Sequence, residues 1–129
     1  MVENLKVTHY NNGDSISYPS DEDFGSFVEG QYGLYDNDLS NTDIYGNLYN
    51  WAVVYDDRGV CPDGWHVPSD YEWTILTDFL GDTAVTGGKM KESGHEHWNY
   101  YSDEISQATT NESGFTVLPG GGGVELVMV

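Results

Sequence analysis

Asp36, Asp38, Ser40, Asn41 and Asp43 put oxygen-bearing side chains close together in one short polar stretch, as the opening half of a calcium-binding loop does. A hard cation of that kind takes about six to eight oxygens from carboxylates, amides and carbonyls. Counted from Asp36, however, the sixth position is Asn41 instead of glycine, and the twelfth is Asn47 instead of a bidentate glutamate, so the loop is not an EF-hand. An Asn/Asp-rich turn whose side chains bond their own backbone accounts for the same residues and is the preferred reading. Calcium is the one cofactor these residues point to.

His95 and His97 flank Glu96 and would share a face of an extended segment, a spacing seen in zinc sites. The remaining histidines, His9 and His66, are far away in sequence, so no third ligand stands at a readable spacing and the segment is read as a surface loop. His66, between Trp65 and Val67, is read as a hydrogen-bonded structural histidine and not as a general base. A single cysteine, Cys61, excludes an internal disulfide. Its only cationic neighbour in sequence is Arg58, which favours a free buried thiol over an activated nucleophile. Residues 120–123 are four glycines with no Lys-Ser/Thr after them, so they form a hinge and not a phosphate loop. Asn111, Glu112 and Ser113 fit the glycosylation triplet, a pattern common by chance. Nothing here assembles a catalytic constellation, and the chain is read as a non-enzyme.

The elements that would position these groups centre on residues 45–81. The apolar run 48–55, rich in aromatic and β-branched residues and bounded by Gly46 and a polar turn at 56–59, predicts a buried strand. A second short run, Trp65, His66 and Val67, follows the turn Pro62, Asp63, Gly64. Ser69 with Glu72 three residues on predicts a capping box, Pro68 and Trp73 a hydrophobic staple, and the helix runs over about 70–80. Trp73, Leu76 and Leu80 share one face, with Ile75 and Phe79 beside them, and Gly81 supplies the left-handed stop. At the end of the chain, Val124, Leu126 and Met128 alternate with Glu125, Val127 and Val129 as a short strand. That strand either caps its own sheet or adds to the open edge of another copy. The domain reading is 1–123 with 124–129 as a hinged C-terminal strand.

The ordered motifs resemble the Fibrobacter-type major paralogous domain, a family of bacterial surface modules. They run from Glu3, Asn4, Leu5 with Asn12, Gly13, Asp14, through Leu48, Tyr49, Asn50, Trp51 and the segment Arg58, Gly59, Cys61, Pro62, Gly64, Trp65, His66, Val67, Pro68, Ser69. They continue through Gly87, Gly88, Lys89, Met90, Lys91, Glu92 to Ala108 through Phe115 and Leu118, Pro119, Gly120. The resemblance covers roughly residues 3–120. It implies an α+β, C-type-lectin-like fold of the sulfatase-modifying-factor type: a mixed, mostly antiparallel sheet, one clear helix and long irregular loops. Calcium sites occur in that wider fold. The resemblance also implies export to the cell surface, although no signal segment opens this chain. Family members continue past the Leu-Pro-Gly turn with more strands and a second cysteine, so the C-terminus is read as shortened, whether as a fragment, a shifted frame or a natural short subunit. Cys61 would then be half of a bridge whose partner lies outside this chain, available to a second chain if not simply buried. The cysteines of the sulfatase-modifying enzymes belong to the part absent here, so their oxidase activity does not carry over.

Composition bounds the partners. Four Lys plus Arg against 22 Asp plus Glu give a formal charge of −18, which disfavours nucleic acid and anionic membranes. No apolar run reaches the roughly 20 residues that a bilayer span requires. With ten Tyr and four Trp, the chain suits stacking on sugars or anchoring a protein interface. Trp98, Tyr100 and Tyr101 are the candidate ligand-binding aromatics, while Trp51, Trp65 and Trp73 sit in core-like patterns. The expectation is a non-catalytic extracellular module for binding or adhesion to a carbohydrate or protein. The alternative is a structural subunit of a surface polymer, built from copies of itself by strand exchange through Val124, Leu126 and Met128.

Overall fold

The computed structural model describes residues 3–19, 28–99 and 109–120, together with the backbone of 126–127. The chain divides into two compact units, one of Val2–Val67 with Gly120–Val129 and the other holding Pro68–Pro119. The class is α+β, as the sequence predicts.

In the first unit, strand β1 (Tyr32–Leu34) is followed by two single 3-10 turns and a short helix α1 (Thr42–Tyr45), then strand β2 (Asn47–Asn50) and helix α2 (Trp51–Val54). Strand β3 (Leu126–Val127) completes an antiparallel sheet of order β1-β2-β3. Tyr32 pairs with Tyr49 across β1 and β2, and Tyr49 and Asn50 pair with Val127 and Leu126. The backbone of Leu126 and Val127 therefore pairs within its own chain. Val124, Met128 and most of the glycine hinge lie outside the described residues.

The core of this unit is small and aromatic: Tyr10, Ile16, Tyr49, Val53 and Val60, with Leu5, Val7, Tyr32 and Cys61 packed around them. Tyr10 and Ile16 arrive on a tight N-terminal turn in which Tyr10 N–H donates to Asp14 O and Ile16 N–H to Thr8 O, both at 2.9 Å. Gly30 must lack a side chain, because a Cβ there would overlap the Tyr10 hydroxyl and press on Val53.

The expected strand over 48–55 ends early, and Asn50 is the reason. Its side-chain oxygen accepts from Val53 N–H at 3.2 Å, capping α2, and from Gln31 N–H at 3.0 Å. Its amide nitrogen donates to Glu29 O at 2.8 Å. An asparagine cap of this kind competes effectively with the β-propensity of the following Val53 and Val54, because it satisfies an amide that the first helical turn leaves open. Tyr49 and Val53 turn inward and are fully buried, whereas Trp51 and Tyr55 turn out. Asn47 works similarly, donating to Lys6 O at 3.2 Å while its backbone N–H donates to Leu5 O at 2.9 Å, so the N-terminal segment is tied alongside β2.

In the second unit, helix α3 (Asp70–Leu80) has the expected limits. The Ser69 and Glu72 capping box is complete, and Gly81 ends the helix at φ +128°. Leu80 is buried, and Trp73 packs on Phe115 with ring centroids 5.9 Å apart. Ile75 and Phe79 lie on the exposed side of the helix. A further helix, α4 (Thr83–Met90), has no counterpart in the sequence reading, because Gly87 and Gly88 lower its propensity. It forms because Asp82 caps Ala84 N–H at 2.8 Å and Thr86 is buried, with its hydroxyl donating to Asp82 O and Thr77 O. The loop of 109–117 closes over α4: Thr110 N–H donates to Gly88 O, Ser113 N–H to Lys89 O and Val117 N–H to Met90 O.

Replacing Asn50 with alanine strands a buried N–H of Gln31, the Glu29 carbonyl and the first turn of α2 together. Each orphaned buried group costs about 1–3 kcal/mol. Asn50→Ala is therefore expected to lower the urea-unfolding free energy by about 3 kcal/mol; a loss under about 1 kcal/mol would show that the carboxamide is not the clamp.

Candidate functional site

Trp51 and Tyr55 stand one helical turn apart on α2 and its C-cap, with ring centroids 5.7 Å apart and an interplanar angle of 22°. They are 62% and 77% exposed. Trp51 thus departs from the core role expected for it, and so do Trp65 and Trp73, which are also exposed. The pair is carried by the helical turn that Asn50 caps, so the cap that ends β2 also sets the backbone from which the two rings project.

The turn after Tyr55 is held by charge. Asp56 accepts from Arg58 N–H and Nε–H at 2.9 Å and from Nη2 at 2.8 Å, Arg58 Nη1 reaches Asp14 at 3.1 Å, and the guanidinium lies 3.8 Å from the Tyr10 ring centroid. The Arg58 hydrogen bonds hold the Asp56 carboxyl down at about 2. Asp14 is also lowered, first by Asn12 and then by Arg58. Burial raises the Cys61 thiol, which is free and half-buried against the core, so it is a poor nucleophile at neutral pH.

The loop of 36–43 folds on itself. Asp36 and Asn37 take left-handed conformations at φ 52° and 54°, which short polar side chains tolerate. Asp38 Oδ1 accepts from Ser40 N–H at 2.9 Å and Ser40 Oγ at 2.8 Å, and the first of these bonds pulls its carboxyl below the usual range. Asn41 donates to Tyr35 O at 3.0 Å, and Asp43 lies 3.8 Å from Lys6 Nζ. Four of the five side chains expected to hold calcium, those of Asp38, Ser40, Asn41 and Asp43, are thus engaged within the turn and with Lys6.

Among the described residues, the ligand atoms that do converge belong to Glu92, Glu96 and His97, all within 4.8 Å of one another, and these three residues could hold a metal ion. His97 Nδ1 lies 2.9 Å and 3.1 Å from the two Glu92 oxygens. Of the two histidines read as a pair, His97 joins this group and His95 does not; Glu96 and Glu92 supply the other ligand atoms, and one carbonyl explains how Glu92 arrives. Val117 O accepts from Glu92 N–H at 3.1 Å and from the Trp98 indole N–H at 3.0 Å, so both ends of the segment 92–98 are pinned to one atom. Gly94, at φ +93°, makes the reversal between them. Nothing in a local spacing rule signals this closure, because its anchor lies about twenty residues downstream.

Trp98, expected as a ligand-binding ring, is half-buried, with its N–H spent on Val117 and Lys91 Nζ 4.3 Å from its ring centroid. Tyr100 and Tyr101 lie outside the described residues. No helix among the described residues is long and apolar enough to cross a membrane.

A model of the Fibrobacter succinogenes major domain matches residues 1–125, and the chain belongs to that family. No curated protein and no solved structure matches it.

A carboxyl held below its unfolded value contributes stability that is present above about pH 4, where the unfolded group ionises, and is lost as pH falls toward the folded value near 2. The gap in melting temperature between the wild type and Arg58→Ala should therefore be full at pH 5 and shrink steadily toward pH 2. A gap independent of pH would contradict the Asp56 and Asp14 assignment.

Proposed function

We propose that this chain is a non-catalytic binding module of the bacterial cell surface, built on a C-type-lectin-like scaffold, and that its ligand is a neutral carbohydrate. The observation that carries the reading is the Trp51 and Tyr55 pair: two large rings, mostly exposed, stacked on each other and set on a buried, hydrogen-bonded cap. Exposed aromatic rings cost nothing to desolvate against the apolar face of a sugar, and rings already held in place lose little entropy on binding. The formal charge of −18 argues against anionic glycans and for neutral ones. Location outside the cell rests on this chain's resemblance to a family of bacterial surface modules.

Calcium at the loop of residues 36–43 is a lesser part of the proposal, since Asp38 would have to exchange its bonds to Ser40 for bonds to the ion. The alternative of a strand-exchanging subunit draws on the β2 and β3 pairing, because the edge of β2 that receives Leu126 and Val127 is the slot a neighbour's strand would occupy.

Titration calorimetry with neutral oligosaccharides of glucose, mannose, galactose and xylose tests the first reading. Trp51→Ala and Tyr55→Ala are each expected to weaken binding about tenfold, since an aromatic contact is worth on the order of 1 kcal/mol. No binding by any neutral sugar, or binding unchanged by both substitutions, would overturn it. Light scattering separates the alternative: the binding-module reading expects a monomer, while an oligomer that dissociates when 124–129 is removed would favour strand exchange.

A further inference from the structure

We propose that Glu92, Glu96 and His97 form a binding site for a divalent transition cation of the zinc class. Two carboxylates and one imidazole make a mixed oxygen and nitrogen donor set, and the imidazole separates it from the all-oxygen sites that calcium and magnesium prefer. Zinc accepts both donor types and, with three protein ligands, keeps a further position for water or an incoming group.

The setting supports a site with structure of its own. The Glu92 and His97 side chains are only 17% and 21% exposed, whereas Glu96 stands on the open side. The Val117 carbonyl fixes the backbone at Glu92 and the indole at Trp98, so the two sheltered ligands are held before any ion arrives. Preorganisation of this kind lowers the ordering cost that a flexible acidic loop would incur.

Charge makes the same point independently. The chain has four Lys and Arg residues, and each is engaged elsewhere. Lys6 lies by Glu3 and Asp43, Arg58 is held by Asp14 and Asp56, and Lys89 lies 3.8 Å from Glu112. Lys91, the basic residue next to Glu92 in sequence, has its ammonium over the Trp98 ring. Among the described residues no Lys or Arg side chain pairs with Glu92 or Glu96, and the basic group that meets Glu92 is the imidazole of His97 itself, so a bound cation would add countercharge at the two carboxylates.

The test is calorimetric titration of zinc, and separately of calcium, into the intact chain in a non-coordinating buffer, followed by thermal melting with and without zinc. Zinc is expected to bind at this site and raise the melting temperature, and calcium, which the loop of residues 36–43 would take separately, is expected not to displace it. His97→Ala and Glu96→Gln should each weaken zinc at least about tenfold, since even supporting residues around a metal are worth that much. Glu96 is exposed and glutamine is nearly its isostere, so Glu96→Gln reports on binding even where His97→Ala fails to fold. The proposal is overturned by absence of zinc binding, by zinc binding of equal strength in the wild type and Glu96→Gln, or by calcium competing at equal concentration.

Discussion

The carboxamide of Asn50 is the interaction on which the first unit depends. One side chain closes three backbone valences that no strand or helix could reach: the amides of Gln31 and Val53 and the carbonyl of Glu29. Its burial is tolerable because every polar atom it brings inside is paired. The consequence is directional. By stopping β2 and starting α2 at the same residue, it sends Tyr49 and Val53 into the core and Trp51 and Tyr55 out of it. Asn47, also buried, extends the same use of an amide side chain as a substitute for a missing sheet partner. A unit with few strands and a small core can hold a defined surface in this way without a long sheet.

The second unit uses a backbone atom for the equivalent task. Val117 O receives two donors from either end of the segment 92–98, and the closure that results gathers Glu92, Glu96 and His97. Its supporting loop is itself tied down by Asn111, whose side chain accepts from Thr116 N–H at 2.8 Å and donates to Thr116 Oγ1 at 2.9 Å. The family-like motifs at 87–92 and 108–115 therefore have a physical meaning: their described residues pack α4 against the loop that carries Val117. In a chain this acidic, each of the few cations is placed where it meets a carboxylate or a ring.

Legibility in the sequence followed the range of the interactions. Helix α3 is legible in both its limits, because Ser69, Glu72 and Gly81 are local signals that act within a few positions. The end of β2 was misread because Val53 and Val54 advertise strand, while the competing cap from Asn50 depends on partners at 29 and 31 that a local pattern does not display. Reading Asn50 as a helix cap three residues before Val53 was the one signal available. The exposed positions of Trp51, Trp65 and Trp73 were hidden for the same reason, since aromatic richness does not say which way a ring points once the period changes. The histidine pair pointed to the right segment, but only His97 of the two joins the group, and Glu92, which meets it directly at 2.9 Å, is brought there by a closure on the distant Val117 carbonyl.

The claim that a fixed, outward aromatic pair is the working surface is tested most directly by heteronuclear NMR of the intact chain titrated with a neutral oligosaccharide. The account predicts that shifts concentrate at the Trp51 indole and the Tyr55 ring, while the amides of Gln31 and Val53 stay protected from exchange with solvent throughout. Shifts centred on Trp98, or Gln31 and Val53 amides that exchange freely in the native protein, would contradict it.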